Sequence, residues 1–345
     1  MTRKVLNIND CMKTFEGDGI PVNRAFPVPE MREFDPFLLF DHFGPINYEP
    51  SGATGVPAHP HCGFEVITYL LGGEVEHKDS WGGKATIRTG DVQWMTTGSG
   101  LVHSELVTDK FKQSGGIMQG LQIWVNLPKK NKRVKPGYQH ILKKNIPIID
   151  TNDNIRIKVL VGKVKETQSI IQTYSPVSIF DIQFKKEGKT NLDIPIEQIA
   201  MVYVIKGELQ FAEANQIATK GQMIFFDQSG AEIHLTSISS SGSYLVLAGK
   251  SLNEPIARHG PFVTNTEKEI KQAIKAAVDQ FRKFLKYKKR KEKEMTNLID
   301  NILAWIERTS STINSWAWDK RWKHRDPNEW VKGYKKWKEE NESAK

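Results

Sequence analysis

Short apolar segments separated by glycine turns dominate the first part of this 345-residue chain. Residues 66–71 form a continuous apolar run before Gly72, and residues 92–95 form a second run shortly after Gly90. Between them, residues 74–79 alternate weakly between apolar and polar positions, as a half-buried strand does. Strands of this length, recurring about every ten residues with glycine turns, are typical of an all-β sandwich or barrel.

The second half of the chain repeats this pattern. The apolar run at residues 196–205 leads into Gly207, and residues 221–227 echo residues 90–96. The repeat predicts a second barrel of the same kind. The basic segment 129–137, which contains turn residues, marks the natural boundary, and we interpret it as a solvated linker rather than a binding patch.

A helix is predicted after the second barrel. Thr266 and Glu269 have the spacing of a capping box at a helix start. The apolar residues that follow recur at helical spacing and form one face: Ile270, Ile274, Ala277, Val278, Phe281 and Leu285.

The last fifty residues are rich in tryptophan and basic side chains. Six of the nine tryptophans lie between Trp305 and Trp337. Aromatic and basic residues in alternation could bind single-stranded nucleic acid by stacking. Because these aromatics follow the helical period, we favour the alternative, in which two helices dock their tryptophans on the body or on another subunit.

Charge and composition narrow the remaining choices. From residue 281 onward the chain carries 18 Lys and Arg against 10 Asp and Glu, so +8 of the net charge of +9 lies there and the body is nearly neutral. A nucleic-acid function would therefore depend on the tail alone. There is no long apolar run and no apolar signal core, and two cysteines do not make a disulfide framework. We expect a cytoplasmic protein that does not bind membranes.

Two pairs of side chains indicate a metal site. His59 and His61 are two residues apart, as are His103 and Glu105. In extended strands each pair points to one face, so neighbouring strands could direct three imidazoles and one carboxylate at one point. Such a donor set suits a divalent transition metal better than calcium or magnesium.

The order of motifs resembles the pirin branch of the cupins. Residues 55–72, from Gly55 through the pair His59 and His61 to Gly72, match the first cupin motif. The second motif departs from the general cupin pattern, with Gly98-Ser-Gly100-Leu-Val-His103 in its place. Further pirin-like stretches are found at residues 37–45, 120–127 and 260–266. The resemblance covers roughly residues 1–285.

This resemblance implies an all-β protein with two cupin (jelly-roll-like) β-barrel domains in tandem, followed by C-terminal helices. The expected divisions are a metal-binding domain at 1–134, a degenerate cupin at 135–262, a helix packing back on the barrels at 263–290, and a helical extension at 291–345. In the degenerate half, Asp193 and Pro195 align with the first histidine pair, and His234 and Thr236 align with His103 and Glu105. Only one of the four ligand types is kept, so we expect no metal there.

Within the first domain, the resemblance assigns the metal to His59, His61, His103 and Glu105. Iron(II) is the first expectation, with manganese, nickel, copper or zinc as alternatives. Glu65, the acidic residue of the first motif, is expected to share the face of His59 and His61 and to act beside the metal or accept a proton together with Glu105. Cys62 replaces the usual pirin arginine and is expected outside the ligand set, while His42 and His77 are interpreted as structural.

Two functions follow from the resemblance. The first is an oxidoreductase of the quercetin 2,3-dioxygenase type, which cleaves a flavonol with dioxygen and releases carbon monoxide. The second is a non-catalytic iron-binding regulator that acts through protein partners in transcription or metabolism.

Overall fold

The computed structural model describes residues 1–16, 19–151, 154–211 and 216–287. The described chain consists mainly of strands. The strands of its first half are β1 (Val5–Asp10), β2 (Met12–Glu16), β3 (Ile20–Phe26), β4 (Phe37–Tyr48), β5 (Gly55–His61), β6 (Phe64–Gly72), β7 (Glu74–Asp79), β8 (Lys84–Arg88), β9 (Val92–Thr96), β10 (Leu101–Val107), β11 (Gly116–Asn126) and β12 (Gly137–Ile141).

The second half continues in the same way. Its strands are β13 (Ile148–Asp150), β14 (Ile155–Val161), β15 (Lys163–Val164), β16 (Thr167–Gln168), β17 (Val177–Phe184), β18 (Gly188–Asp193), β19 (Gln198–Lys206), β20 (Glu208–Phe211), β21 (Gln216–Thr219), β22 (Gln222–Phe226), β23 (Glu232–Ser237), β24 (Gly242–Lys250), β25 (Ala257–His259) and β26 (Phe262–Thr264). The helices are α1 (Asp109–Ser114) and α2 (Glu267–Tyr287), with 3-10 turns at Lys129–Asn131 and Lys143–Asn145.

Two compact units divide the described chain, and each contains a seven-stranded and a four-stranded sheet. In one unit the sheet orders are β12-β9-β6-β11-β4-β3-β2 and β5-β10-β7-β8. In the other they are β1-β22-β19-β24-β17-β14-β13 and β18-β23-β20-β21. The matching sheet sizes confirm the internal repeat and the prediction of two jelly-roll-like cupin domains.

The units are discontinuous in sequence, which differs from the contiguous divisions 1–134, 135–262 and 263–290. Among the described residues, 1–12 and 25–39 belong with 141–253, and 254–287 belong with 13–24 and 40–140. The cause is long-range pairing, since β1 hydrogen-bonds to β22. We call the unit that contains residues 40–140 the histidine unit and the other the apolar unit. The predicted extension at 291–345 lies outside the described residues.

The apolar unit has a core built from both of its sheets. Its buried side chains are aliphatic and aromatic, among them Phe180, Val202, Ile224, Ile233 and Leu235. On β23, Ile233 and Leu235 point inward, so His234 between them points outward, where its ring contacts the Glu232 carboxylate at 2.8 Å.

Helix α2 begins with the predicted capping box. The Thr266 hydroxyl accepts from the backbone N–H of Glu269 at 3.3 Å, and the Glu269 carboxylate accepts from the Thr266 hydroxyl at 2.9 Å and from the Asn265 N–H at 3.2 Å. Ile270 and Ala273 then pack against Phe262 and Cys62 of the histidine unit. The helix thus covers the segment that carries the predicted first motif.

A tight backbone contact holds this segment to β26. Cys62 N–H donates to the Pro261 carbonyl at 3.1 Å, and its own carbonyl accepts from Val263 N–H at 2.9 Å. The next residue, Gly63, has φ +87°, and a Cβ built on it would lie 1.8 Å from the Val263 carbonyl oxygen. Only glycine is compatible with both the backbone angle and this approach.

We expect Gly63→Ala to destabilise the protein more than Gly82→Ala. Both glycines have positive φ, at +87° and +94°, but a Cβ at Gly82 meets no heavy atom of the described chain within 4 Å. Each substitution therefore costs about 1–2 kcal/mol of backbone strain, and Gly63→Ala adds roughly 1–3 kcal/mol of overpacking. Urea unfolding monitored by tryptophan fluorescence measures both. Equal losses in the two variants would contradict the close approach to Val263.

Candidate metal centre

Three histidines meet where β5 pairs with β10. The antiparallel register places His103 directly opposite His59, and His61 lies two residues further along β5 on the same face. The ring centroids are 4.3 Å apart for His59 and His103, 4.7 Å for His59 and His61, and 4.9 Å for His61 and His103. One ligand atom from each residue lies within 4.8 Å of the others, so this group could hold a metal ion.

The hydrogen bonding of the three rings fits a metal. Nδ1 of His59 lies 2.7 Å from the Pro57 carbonyl oxygen and so carries its proton, which makes Nε2 the nitrogen with a lone pair. Nδ1 of His61 and Nε2 of His103 are buried and have no hydrogen-bond partner in the described chain. Each such buried orphan costs about 1–3 kcal/mol. A bound cation would satisfy the lone pairs that this burial leaves without a partner.

Burial also sets the charge of the rings. Burial, followed by the neighbouring His59, lowers the pKa of His61 well below its usual value. Burial and the other histidines lower the pKa of His103 in the same way. The pKa of His59 is lowered by burial, against the opposing effects of the Pro57 hydrogen bond and Glu105. All three rings are therefore neutral near pH 7, the form that binds metals.

Glu105 belongs to a second group that shares His103 with the first. Ligand atoms of His77, His103 and Glu105 also lie within 4.8 Å of one another. The Glu105 carboxylate is buried, and it accepts hydrogen bonds from the Gln93 amide and, at 3.4 Å, from the Thr68 hydroxyl. These donors come from β9 and β6 of the seven-stranded sheet, while Glu105 lies on β10 of the four-stranded sheet. The centre therefore lies between the two sheets of the histidine unit.

Glu65 faces away from this centre, so the expectation that it shares the face of His59 and His61 is wrong. On β6, Glu65 and Thr68 lie on opposite faces, and Glu65 accepts from the Trp94 indole at 2.9 Å and the Thr96 hydroxyl at 2.8 Å. The physical reason is the break at Cys62 and Gly63 between β5 and β6. Two-residue alternation is not carried across that break.

Cys62 and His42 lie outside both histidine groups. The Cys62 thiol lies 3.4 Å from the Gly98 carbonyl oxygen, and burial raises its pKa. The ring of His42 contacts the Gln119 side chain at 2.9 Å. Cys62 therefore contributes to the packing under α2.

His77, which the sequence pattern led us to interpret as structural, lies beside the histidine cluster. It is fully buried on β7, directly opposite Glu105 of β10, and its Nδ1 lies 3.5 Å from Nδ1 of His103. The alternation of β7, in which Val75 and His77 are the buried positions, is a signal that could have indicated an inward histidine. Its other nitrogen, Nε2, contacts the Asp79 carboxylate at 3.1 Å.

Asp79 is held as a carboxylate beside His77. Burial opposes ionisation of this group, but hydrogen bonds from His77, Gly83 and Trp81 outweigh it and lower the pKa of Asp79. Its Oδ1 accepts from the backbone N–H groups of Trp81 at 2.7 Å and Gly83 at 3.0 Å. Asp79 therefore connects a surface turn with the buried histidines.

The paired sheets and the histidine cluster define a two-cupin protein with a candidate metal centre in one unit. A family model described as Pirin matches residues 19–125, and a model described as Pirin C-terminal cupin domain matches residues 179–282. The chain belongs to the pirin family.

Relatives and solved structures agree with this assignment. The chain is 37% identical to a pirin-like protein of Solanum lycopersicum over 75% of its own length and 85% of that protein. It is 36% identical to the pirin of Mus musculus over 75% of its length and 87% of that protein. A crystal structure of quercetin 2,3-dioxygenase from Acinetobacter baumannii is 36% identical, covers 80% of this chain and 96% of its own, and superposes with a TM-score of 0.74. Among the described helices, none is long and apolar enough to cross a membrane.

We expect the metal-free protein to lose stability as the pH falls below about 6.5. The unfolded histidines take up protons near that pH, while His59, His61 and His103 have lowered folded pKa values and stay neutral. The contribution of these neutral histidines to stability is therefore fully present above the unfolded pKa. It is lost as the pH falls, by at most about 1.4 kcal/mol per pH unit for each histidine. Urea unfolding at several pH values gives the slope. The double variant His61→Gln, His103→Gln should have a shallower slope, and an unchanged slope would contradict the assignment.

We expect Glu105→Gln and Glu65→Gln to affect metal affinity differently. Glu105→Gln removes the negative charge on the inner side and should weaken divalent-metal binding at least tenfold. Glu65→Gln keeps an acceptor oxygen for Trp94 and Thr96 on the opposite face and should leave the affinity unchanged. Competition titration with a chromophoric chelator measures both variants. The prediction fails if Glu65→Gln is the more damaging substitution.

Proposed function

We propose that this protein is an iron(II)-dependent dioxygenase that cleaves flavonols of the quercetin type, with His59, His61, His103 and Glu105 as metal ligands. The observation that carries the proposal is the group of three buried, neutral imidazoles beside a buried carboxylate. The 36% identity to the quercetin 2,3-dioxygenase of Acinetobacter baumannii supports the choice of reaction.

The donor set determines what the chain offers to a metal. Three neutral nitrogens and one carboxylate oxygen suit iron(II), and also manganese, nickel, copper or zinc, and leave positions for substrate oxygen and dioxygen. When bound, the ion would supply Lewis acidity toward the flavonol oxygen and the means of reacting with dioxygen. His59 is fixed for this role by the Pro57 carbonyl, and Glu105 by Gln93 and Thr68.

Aromatic side chains shape the surroundings of His61. The Phe64 and Trp124 rings each lie 5.3 Å from the His61 ring, in edge-on geometry, and stack on each other at 4.3 Å. These buried rings exclude water on that side of the centre and give it an apolar wall, as an aromatic substrate would require. Exclusion of water strengthens every electrostatic interaction inside the site.

Glu105 is the residue that we assign to proton transfer. A flavonol must lose its 3-hydroxyl proton to bind as an anion, and Glu105 is the carboxylate of the centre that can accept it. The Gln93 amide and the Thr68 hydroxyl both donate to the same Glu105 oxygen, Oε1. Those two donors orient the carboxylate. Glu65, on the opposite face, has no part in this assignment.

The test compares wild type, His61→Ala and His234→Ala, all prepared without oxygen and loaded with iron(II). We expect about one iron per chain in the wild type, with quercetin and dioxygen consumed in equal amounts and carbon monoxide released. His61→Ala should lose both the metal and the turnover. His234→Ala is the matched control, because His234 aligns with His103 but points outward from the apolar unit.

Two results would overturn parts of the proposal. If the wild type binds iron stoichiometrically but consumes no flavonol, the dioxygenase function is wrong, and a regulatory protein acting through partners takes its place. If wild type and His61→Ala bind metal equally, the assignment of the ligands is wrong.

A further inference from the structure

We propose that His77 is a positioning residue for the metal centre. It accepts a hydrogen bond from His103 and donates one to Asp79, and so fixes which nitrogen of His103 faces the metal. The proposal rests on the metal centre described under Proposed function. It concerns the orientation of one ligand and not the identity of the substrate.

The distances define a chain of three side chains. Nδ1 of His103 lies 3.5 Å from Nδ1 of His77, and Nε2 of His77 lies 3.1 Å from Oδ2 of Asp79. All three side chains are buried or nearly so, at 1%, 0% and 3% exposure. Because water is excluded, these side chains form hydrogen bonds with one another instead of with solvent.

With His77 neutral, one arrangement of protons agrees with all of these contacts. A carboxylate can only accept, so Nε2 of His77 carries a proton and donates to Asp79. Nδ1 of a neutral His77 is then an acceptor, and Nδ1 of His103 must carry the proton between them. Nε2 of His103 is left with its lone pair, and it is the His103 nitrogen that has no partner in the described chain. The contacts among His103, His77 and Asp79 thus leave that lone pair for the metal.

A second set of contacts holds the His77 ring in place and reaches the other ligand. Tyr138 stacks on His77 with ring centroids 4.2 Å apart and planes at 16°. The Tyr138 hydroxyl donates to the Gln93 side-chain oxygen at 3.1 Å, and the Gln93 amide donates to Glu105. Rotation of His77 is therefore opposed by Tyr138 on its face and by Asp79 at its edge. His103 and Glu105 are oriented by one connected network.

This geometry argues against His77 as a ligand, although it lies within reach of His103 and Glu105. Both of its nitrogens are engaged, one by His103 and the other by Asp79. To bind a metal, His77 would have to give up one of these buried contacts. Outer partners of metal-binding histidines commonly contribute 10–100-fold to metal affinity.

The first test is the tautomer of His103 in the metal-free protein. Nitrogen chemical shifts of ¹⁵N-histidine-labelled protein at pH 7.5, assigned by comparison with His103→Gln, should show the proton on Nδ1 of His103. His77→Leu removes the acceptor and should shift His103 toward a mixture of tautomers. His77→Asn places an acceptor near the position of Nδ1 and should restore the Nδ1–H form. A wild-type His103 protonated on Nε2 would overturn the proposal.

The second test is metal affinity, measured by cobalt(II) competition together with the cobalt visible spectrum. His77→Leu should bind roughly 10–100-fold more weakly with a shifted spectrum, and His77→Asn should recover most of both. His140→Leu is the matched control, because His140 forms another histidine–carboxylate contact, with Asp91 at 3.3 Å, in the same unit. Thermal unfolding of each variant checks that it is folded.

The outcomes separate this proposal from the proposed function. Unchanged affinity in His77→Leu would overturn the positioning role, and a complete loss equal to that of His61→Ala would show that His77 is itself a ligand. If no variant, wild type included, binds metal, the metal centre fails, while the His103 tautomer still decides whether the hydrogen bond exists. If cobalt binds as expected but no flavonol is consumed, only the reaction is wrong.

Discussion

The burial of three uncharged imidazoles between two sheets is the constraint on which the histidine unit depends. Rings whose centroids lie 4.3–4.9 Å apart, in a region without solvent, cannot all take up a second proton and become charged, because each charge would be desolvated and repelled by its neighbours. The strand pairing of β5 with β10 brings them together, and the packing of the sheets keeps water out. The rest of the unit preserves that geometry: the close approach at Gly63, the cover by α2 and the donors that orient Glu105.

The two units show how one architecture gives different interiors. Both have a seven-stranded and a four-stranded sheet. In the apolar unit, the inward positions of β23 are Ile233 and Leu235, and they complete a hydrocarbon core that stabilises by burial alone. In the histidine unit, corresponding space holds imidazoles and a carboxylate, which lower stability unless a ligand compensates them. A few side chains on a repeated scaffold thus determine which of the two units has a candidate site.

The sequence patterns predicted the features that depend on the geometry of a single strand. Alternation along β5 and along β10 correctly brought His59, His61 and His103 together, because both strands are regular where these residues lie. Alternation predicted the wrong face for Glu65. The chain bends at Cys62 and Gly63, so the inward and outward positions of β6 do not continue those of β5. The position of His77 was not predicted, because its contact with His103 depends on the register between β7 and β10. That register relates residues 26 positions apart. The boundaries of the units were unpredictable for the same reason, since β1 pairs with β22 more than 200 residues later.

That pairing of β1 with β22 has a consequence for synthesis on the ribosome. β1 leaves the exit tunnel long before β22 and cannot form this pairing until residues 222–226 have also emerged. The histidine unit waits as well, because β26 and α2, which pack against Cys62 at the end of β5, come after residue 260. Neither unit can close early, so during translation the chain exposes unpaired strand edges for most of its length. A protein built in this way places a demand on chaperones that its final stability does not reveal.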